Sequence, residues 1–213
     1  RESLRNDLYE VYDLERLCGK VICGNLNARD VLQIKRSLSV LPSISSKIEQ
    51  LGFDYKIADV SKLYELLEKA IYENPPIGLK EGYLIKDGYN TELDELKQIR
   101  SGGKDFIASL EEQERERTGI PTLKVGYNKV FGYFIEVSKG QVDKVKDEYG
   151  YERRQTLANA ERYISPLLKE KEALVLNAEE KIIELEYNLF MEVKEEIKKE
   201  IFKLKAIARD LSE

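Results

Sequence analysis

The chain has 213 residues, 35% of them charged and 42% hydrophobic, with a net charge of −5. That suits one large or two small domains rich in exposed amphipathic helix. It contains no histidine and only two cysteines, Cys18 and Cys23. Ser-His-Asp triads, Cys-His dyads and histidine proton shuttles are therefore excluded, and the cysteines alone are too few for a four-ligand metal site. They read as reduced, half-buried thiols of a cytoplasmic protein. No run of 18 apolar residues or signal-peptide pattern occurs, so no membrane span is expected. The start at Arg1 rather than Met suggests a piece of a longer protein.

In chain order, Leu4, Leu8, Val11 and Leu14 recur at helical spacing. Asn27 is a candidate N-cap for a helix through Val31, Ile34 and Leu38 that is expected to stop before Pro42. Ser43 is read as the cap of a short helix through Ile44, Ile48 and Leu51. A further helix, from Asp59 through Leu63 and Leu67, ends at Asn74-Pro75-Pro76. Residues 78–90 hold three glycines around Tyr83-Leu84-Ile85 and are expected to form a short extended or hairpin element. Thr91 and Asp94 resemble a capping box opening a helix through Leu93, Leu96, Ile99, Phe106 and Leu110. Within it, Ser101-Gly102-Gly103-Lys104 lacks the first glycine and the Ser/Thr of a phosphate-binding loop and reads as a flexible kink.

Leu123 to Val137 is dominated by Val, Tyr, Phe and Ile, which favour a pleated, half-buried surface. Asn128-Lys129 is expected at the tip of a β-hairpin, and Gly132 at a bulge or close-packing point. A polar, basic second segment follows at 153–163. From Pro166 to the end, apolar residues recur about every 3.7 positions with no Gly or Pro between them, predicting one helix of some 45 residues, roughly 70 Å long. One stripe of it is expected to pack against the 91–117 helix. The resulting fold class is mainly α with a small β insertion: a long antiparallel helical arm carrying a β-rich module at its tip. The divisions are 1–118, 119–166 and 167–213.

Residues 119–166 carry eight Lys/Arg against six Asp/Glu on an otherwise acidic chain. That modest local surplus fits contact with a polyanion. The module's polar residues suit hydrogen bonds to phosphate, which position a protein without reading sequence. The candidates are Asn128 and Lys129 at the hairpin turn, Arg153, Arg154, Gln155, Thr156 and Asn159 on the second segment, and Lys124 and Arg162. Read from residues alone, Arg162 has an internal partner available in the module, Asn159 has turn chemistry, and Gln155-Thr156 suits a solvent-facing strand. Tyr127, Phe131, Tyr133, Phe134 and Tyr163 are expected to form the module's small core. The competing reading is a structural or interaction module whose tip binds a protein partner.

The strings LKVGYNKVFGYFIEVSK (123–139) and RRQTLANAERYISPLLKEKE (153–172) resemble the clamp domain of the MutS family of DNA mismatch repair proteins. YDLERL (12–17), NPPIGLKEGYLIKDGYNTELDEL (74–96) and ERERTGIPTLKVGYN (114–128) resemble that family's core and lever helices. The resemblance implies a non-enzymatic lever and clamp that grips the backbone of double-stranded DNA and relays an ATP-driven change from an ATPase domain elsewhere. It implies no cofactor in this stretch, ATP and Mg for the full-length protein, a homodimer, and a MutL-type repair partner.

Overall fold

A computed structural model describes residues 2–53 and 55–212. It is mainly helical, with one small antiparallel sheet, as expected. The chain divides into two compact units, Arg1–Thr91 with Ile183–Glu213, and Glu92–Ile182.

In the first unit the opening periodicity resolves into two helices rather than one, α1 (Glu2–Tyr9) and α2 (Leu14–Cys23). Asp13 starts the second by accepting the Arg16 N–H at 2.9 Å. Asn27 and Asp30 form a reciprocal capping box at the start of α3 (Ala28–Gln50). Contrary to expectation, α3 continues through Pro42. Proline removes a backbone donor and strains the helix interior, but Pro42 is exposed while Leu38, Leu41 and Ile44 are buried. Burying each such side chain contributes about 1.5–3 kcal/mol, enough together to offset a proline cost of about 3 kcal/mol. Ser43 is accordingly no cap; its hydroxyl donates to Asp7 at 2.6 Å.

Helix α4 (Ser61–Ala70) follows Asp59, whose carboxylate accepts the Ser61 N–H. Residues 78–90 form no hairpin of their own; Ile85 makes a single antiparallel bridge to Ile71. Cys18 is buried and Cys23 exposed, rather than both half-buried. Burial pushes the Cys18 thiol upward.

The last helical stretch is two helices, α6 (Pro166–Lys199) and α7 (Ile201–Asp210). Glu200 breaks the run, its N–H bonding back to Ile197. Nothing in the local residue types marks that break. Helix α6 alone has 34 residues, roughly 50 Å at ~1.5 Å per residue. Its apolar stripe admits the fully buried Glu186, which accepts the Ile85 N–H at 3.3 Å and so supports the Ile71–Ile85 bridge.

In the second unit, α5 (Thr91–Thr118) runs antiparallel to the first turns of α6. Gly103 touches Val175 and Lys104 pairs with Glu179, while Phe106 lies under Lys171. A Cβ on Gly103 would come within 2.5 Å of Val175 Cγ2, whereas one on Gly102 would meet open space. The glycine pair therefore lies in continuous helix and serves close packing at Gly103.

Between α5 and α6 the chain forms β1 (Lys124–Asn128), β2 (Gly132–Ser138), β3 (Glu152–Thr156) and β4 (Ala160–Ile164), in the order β1-β2-β4-β3. One face packs Val125, Ile135, Val137 and Tyr163 against Ile107, Leu110, Leu168 and Val175 of the helices. The opposite face carries Phe134, which lies over Gly126 and under Arg162.

Candidate nucleic-acid interface

The two turns of the sheet lie at opposite ends. In the β2–β4 pairing Ile135 faces Tyr163 and Ser138 faces Ala160. The β1–β2 turn precedes Gly132 and the β3–β4 turn precedes Ala160, so the seven residues of β2 separate them. At ~3.3 Å per residue that is roughly 20 Å. Asn128 and Lys129 are thus not brought together with Thr156 and Asn159.

At the β1–β2 turn, the Asn128 side chain accepts the Val130 N–H at 2.7 Å, making the turn. Lys129 is exposed and has no ion-pair partner among the described residues. Val130 beside it is 90% exposed and Tyr127 61% exposed, the latter packed edge-on against Tyr133. Tyr127 thus departs from the expected core, while Phe134 and Tyr163 are buried.

At the other end, the Lys139 N–H donates to the Asn159 carbonyl at 3.0 Å, joining the end of β2 to the β3–β4 turn. Lys139, Thr156 and Asn159 are exposed there, as is Lys144 at the far end of the 3-10 turn Lys139–Lys144, and neither lysine has an ion-pair partner among the described residues. Arg153 reaches the buried Glu161 at 3.3 Å and Arg154 reaches the exposed Glu152 at 3.4 Å, with both arginine side chains about half exposed. A register shift between Arg153 and Gln155 places Arg154 on a bulge, a feature that re-aims a side chain. Lys139 and Lys144 were absent from the candidates drawn from sequence. They contribute to the local basic surplus, but only the β2–β4 register shows that Lys139 meets Asn159.

Lys124, Glu136, Arg162 and Gln155 form one row across the outer face. Arg162 donates to Glu136 at 2.8 Å and to Gln155 at 3.0 Å, with its guanidinium 4.3 Å from the Phe134 ring centre. These contacts occupy Arg162 and Gln155 within the sheet. Lys124 is exposed at the row's end.

The loop 139–151 is anchored to α5 by a charged cluster. Arg117 grips Glu114 through two hydrogen bonds of 2.6 and 2.9 Å, and the Tyr151 hydroxyl donates to the same carboxylate. Arg117 also lies 4.9 Å from the Tyr149 ring centre. Burial opposes ionisation of Glu114, but the bonds from Arg117 and Tyr151 outweigh it and hold the carboxyl below its usual range. Tyr163 donates to Glu161 at 2.9 Å. Burial and that acidic partner push its hydroxyl up to about 12, so it stays a donor at neutral pH.

No cluster of three metal-ligating side chains occurs among the described residues, and no described helix is long and apolar enough to cross a membrane.

Residues 88–181, which include the whole sheet and the helical segments packed on it, match the pattern described as MutS family domain IV. All of the chain aligns with the DNA mismatch repair protein MutS of Bacillus subtilis at 55% identity and with that of Bacillus licheniformis at 54%. The chain belongs to the MutS family. The corresponding protein of Halalkalibacterium halodurans is 49% identical over the full chain. The chain spans about a quarter of the length of each of these MutS proteins. The MutS domain IV match contains every candidate residue from Lys124 to Arg162.

Proposed function

We propose that this chain is the lever-and-clamp portion of a MutS-type DNA mismatch repair protein, and that its sheet holds the backbone of double-stranded DNA without reading base sequence. The observation that carries this reading is the backbone bond from Lys139 to Asn159 at one end of the sheet, with Thr156 exposed there and Lys144 exposed five residues beyond Lys139. Lysines there supply charge through counterion release, and Asn and Thr side chains supply hydrogen bonds to phosphate oxygens. Arg153 and Arg154 belong to the same set. The Arg154–Glu152 pair is exposed and of a kind worth about 0–1 kcal/mol, so a phosphate competes readily for that guanidinium, whereas Arg153 is held by the buried Glu161 and offers only its exposed part.

In this reading Lys129 and Asn128, at the far end, form a separate minor contact, with Lys124 between the two ends. Helices α5 and α6 act as the lever. ATP, Mg and catalysis belong to another part of the full-length protein, which acts as a cytoplasmic homodimer with a MutL-type partner. The stretch described here does no chemistry of its own.

Reversing charge with Lys139→Glu and Lys144→Glu together is expected to weaken duplex binding roughly tenfold or more at low salt. The dependence on log salt should become shallower by about 2, equally for matched and mismatched duplexes. Unchanged affinity and slope would sink the assignment of this end.

A second reading, that the module contacts a protein, draws on the exposed Val130 and Tyr127 at the β1–β2 turn. It places the contact at the end of the sheet away from Lys139. Val130→Asp would then remove a protein contact while leaving DNA affinity intact.

A further inference from the structure

An antiparallel sheet inserted between two helices has backbone edges to satisfy, because unpaired N–H and C=O groups are costly when partly buried. Here two ion pairs satisfy part of that demand, on the β1 edge and at the start of β2. On α5, Glu111 accepts the Val125 N–H at 2.9 Å and Arg115 donates to the Leu123 carbonyl at 2.7 Å, while the two side chains pair at 2.7 Å. Val125 belongs to β1, the outermost strand on that side. On α6, Glu172 accepts the Tyr133 N–H at 2.7 Å and Lys169 donates to the Phe131 carbonyl at 2.8 Å, again as a pair, 3.5 Å apart. Tyr133 lies just beyond the last β2–β4 partners, Ile135 and Tyr163. Glu172 therefore takes the place of a β4 strand that has already turned into α6.

The two arrangements have the same logic. In each, an acid on the helix replaces a missing strand carbonyl, and a base one turn away replaces a missing strand amide. Charge-assisted bonds of this kind are shorter and stronger than neutral ones. Gly132 reinforces the second, because a side chain there would press into the Glu172 carboxylate. Apolar packing alone is non-directional and leaves the sheet free to rock on the helices. Four directed bonds from two helices oppose that motion.

We infer that Glu111, Arg115, Lys169 and Glu172 are positioning residues that fix the direction in which the sheet, and with it the Lys139–Asn159 end, points relative to α5 and the first turns of α6. This rests on the clamp reading for its consequence in DNA binding, but the mechanical statement stands on the bonds themselves.

The test compares the full 213-residue chain with the Glu111→Ala/Glu172→Ala and Glu111→Gln/Glu172→Gln variants. Residual dipolar couplings are recorded for amides of the sheet and of residues 92–118 and 166–182. One alignment tensor is expected to fit both sets in the unmodified chain. In the alanine variant, the sheet should need its own, smaller tensor, and the Val125 and Tyr133 amides should exchange roughly tenfold faster. Glutamine retains an acceptor oxygen and is expected to restore much of both.

DNA affinity should fall in the alanine variant with the salt slope unchanged, since no phosphate contact is removed. A single tensor persisting in the alanine variant, with β2–β4 contacts intact, would overturn the inference. Should that variant fail to fold, Arg115→Met and Lys169→Met keep the aliphatic stems and are read the same way. A separate tensor in a chain that binds no DNA would support the positioning role and contradict the clamp reading instead.

Discussion

Replacing Gly132 with valine is expected to destabilise the β module by about 2–5 kcal/mol. Three effects combine at this position. Gly132 has φ +82°, in the left-handed region that costs an L-residue about 1–2 kcal/mol and a β-branched one more. A side chain would collide with the Glu172 carboxylate, the far end of a flexible side chain, which would have to swing aside. Displacing Glu172 would also strand the Tyr133 N–H that it accepts, at about 1–3 kcal/mol. These terms overlap rather than add fully. Against a typical domain stability of about 5–15 kcal/mol, the loss is large.

Urea unfolding followed by tyrosine signals from the module should show its midpoint fall sharply. Gly140→Val is the control, since Gly140 has ordinary φ and nothing within 4 Å of an added Cβ. Its effect is expected to stay within about 1 kcal/mol. Equal effects at the two positions would contradict the packing described for the hairpin.

Glu114→Ala is expected to cost about 2–3 kcal/mol. Glu114 is 7% exposed and receives two bonds from Arg117 and one from Tyr151. Removing it leaves a guanidinium and a phenol without their acceptor at the junction of α5 and the 147–151 segment. Full burial would place the loss at about 3–5 kcal/mol, but the Arg117 side chain is 45% exposed, so water recovers part of it. Glu114→Gln should lose less, because one acceptor oxygen remains.

The pH dependence has a definite sign. Glu114 is held below its usual range in the fold, so its contribution is present above the unfolded value, about 4.3, and lost as pH falls through the folded value. The stability gap between the unmodified chain and Glu114→Gln should be constant above about pH 5 and shrink below about pH 4. A gap that widened on acidification would contradict this account of the cluster.

The sequence made some parts of this architecture plain and hid others for identifiable reasons. The β1–β2 hairpin was legible because Val125, Tyr133, Ile135 and Val137 alternate toward one core and Asn128 has the chemistry of a turn. Strand β3 was legible only at Gln155-Thr156, which suited a solvent-facing strand, because Glu-Arg-Arg-Gln-Thr carries no hydrophobic alternation to set its bounds. Pro42 misled because a local rule was outweighed by the burial of Leu38, Leu41 and Ile44. In α6 the buried stripe of Val175, Ala178 and Ile182 goes on to admit Glu186. Its burial depends on what packs there, including the Ile85 amide it accepts 101 positions away.

The candidate interface was legible in kind but not in arrangement. Basic and amide residues could be counted along 124–162, yet their grouping into two ends depends on the β2–β4 register. Arg162 was a candidate for which an internal partner was also in view, and the fold supplies Glu136, Gln155 and Phe134 around it. The edge-capping pairs read as ordinary charges on helix surfaces, since nothing local says that Glu111 and Glu172 face strand amides.

The most direct test of the clamp reading is fluorescence anisotropy of the 213-residue chain with matched and single-mismatch duplexes, from about 50 to about 200 mM salt. The account predicts weak binding of equal strength to both duplexes, with a log–log salt slope of roughly −2 to −4. A marked preference for the mismatched duplex, or an affinity that does not change with salt, would contradict it.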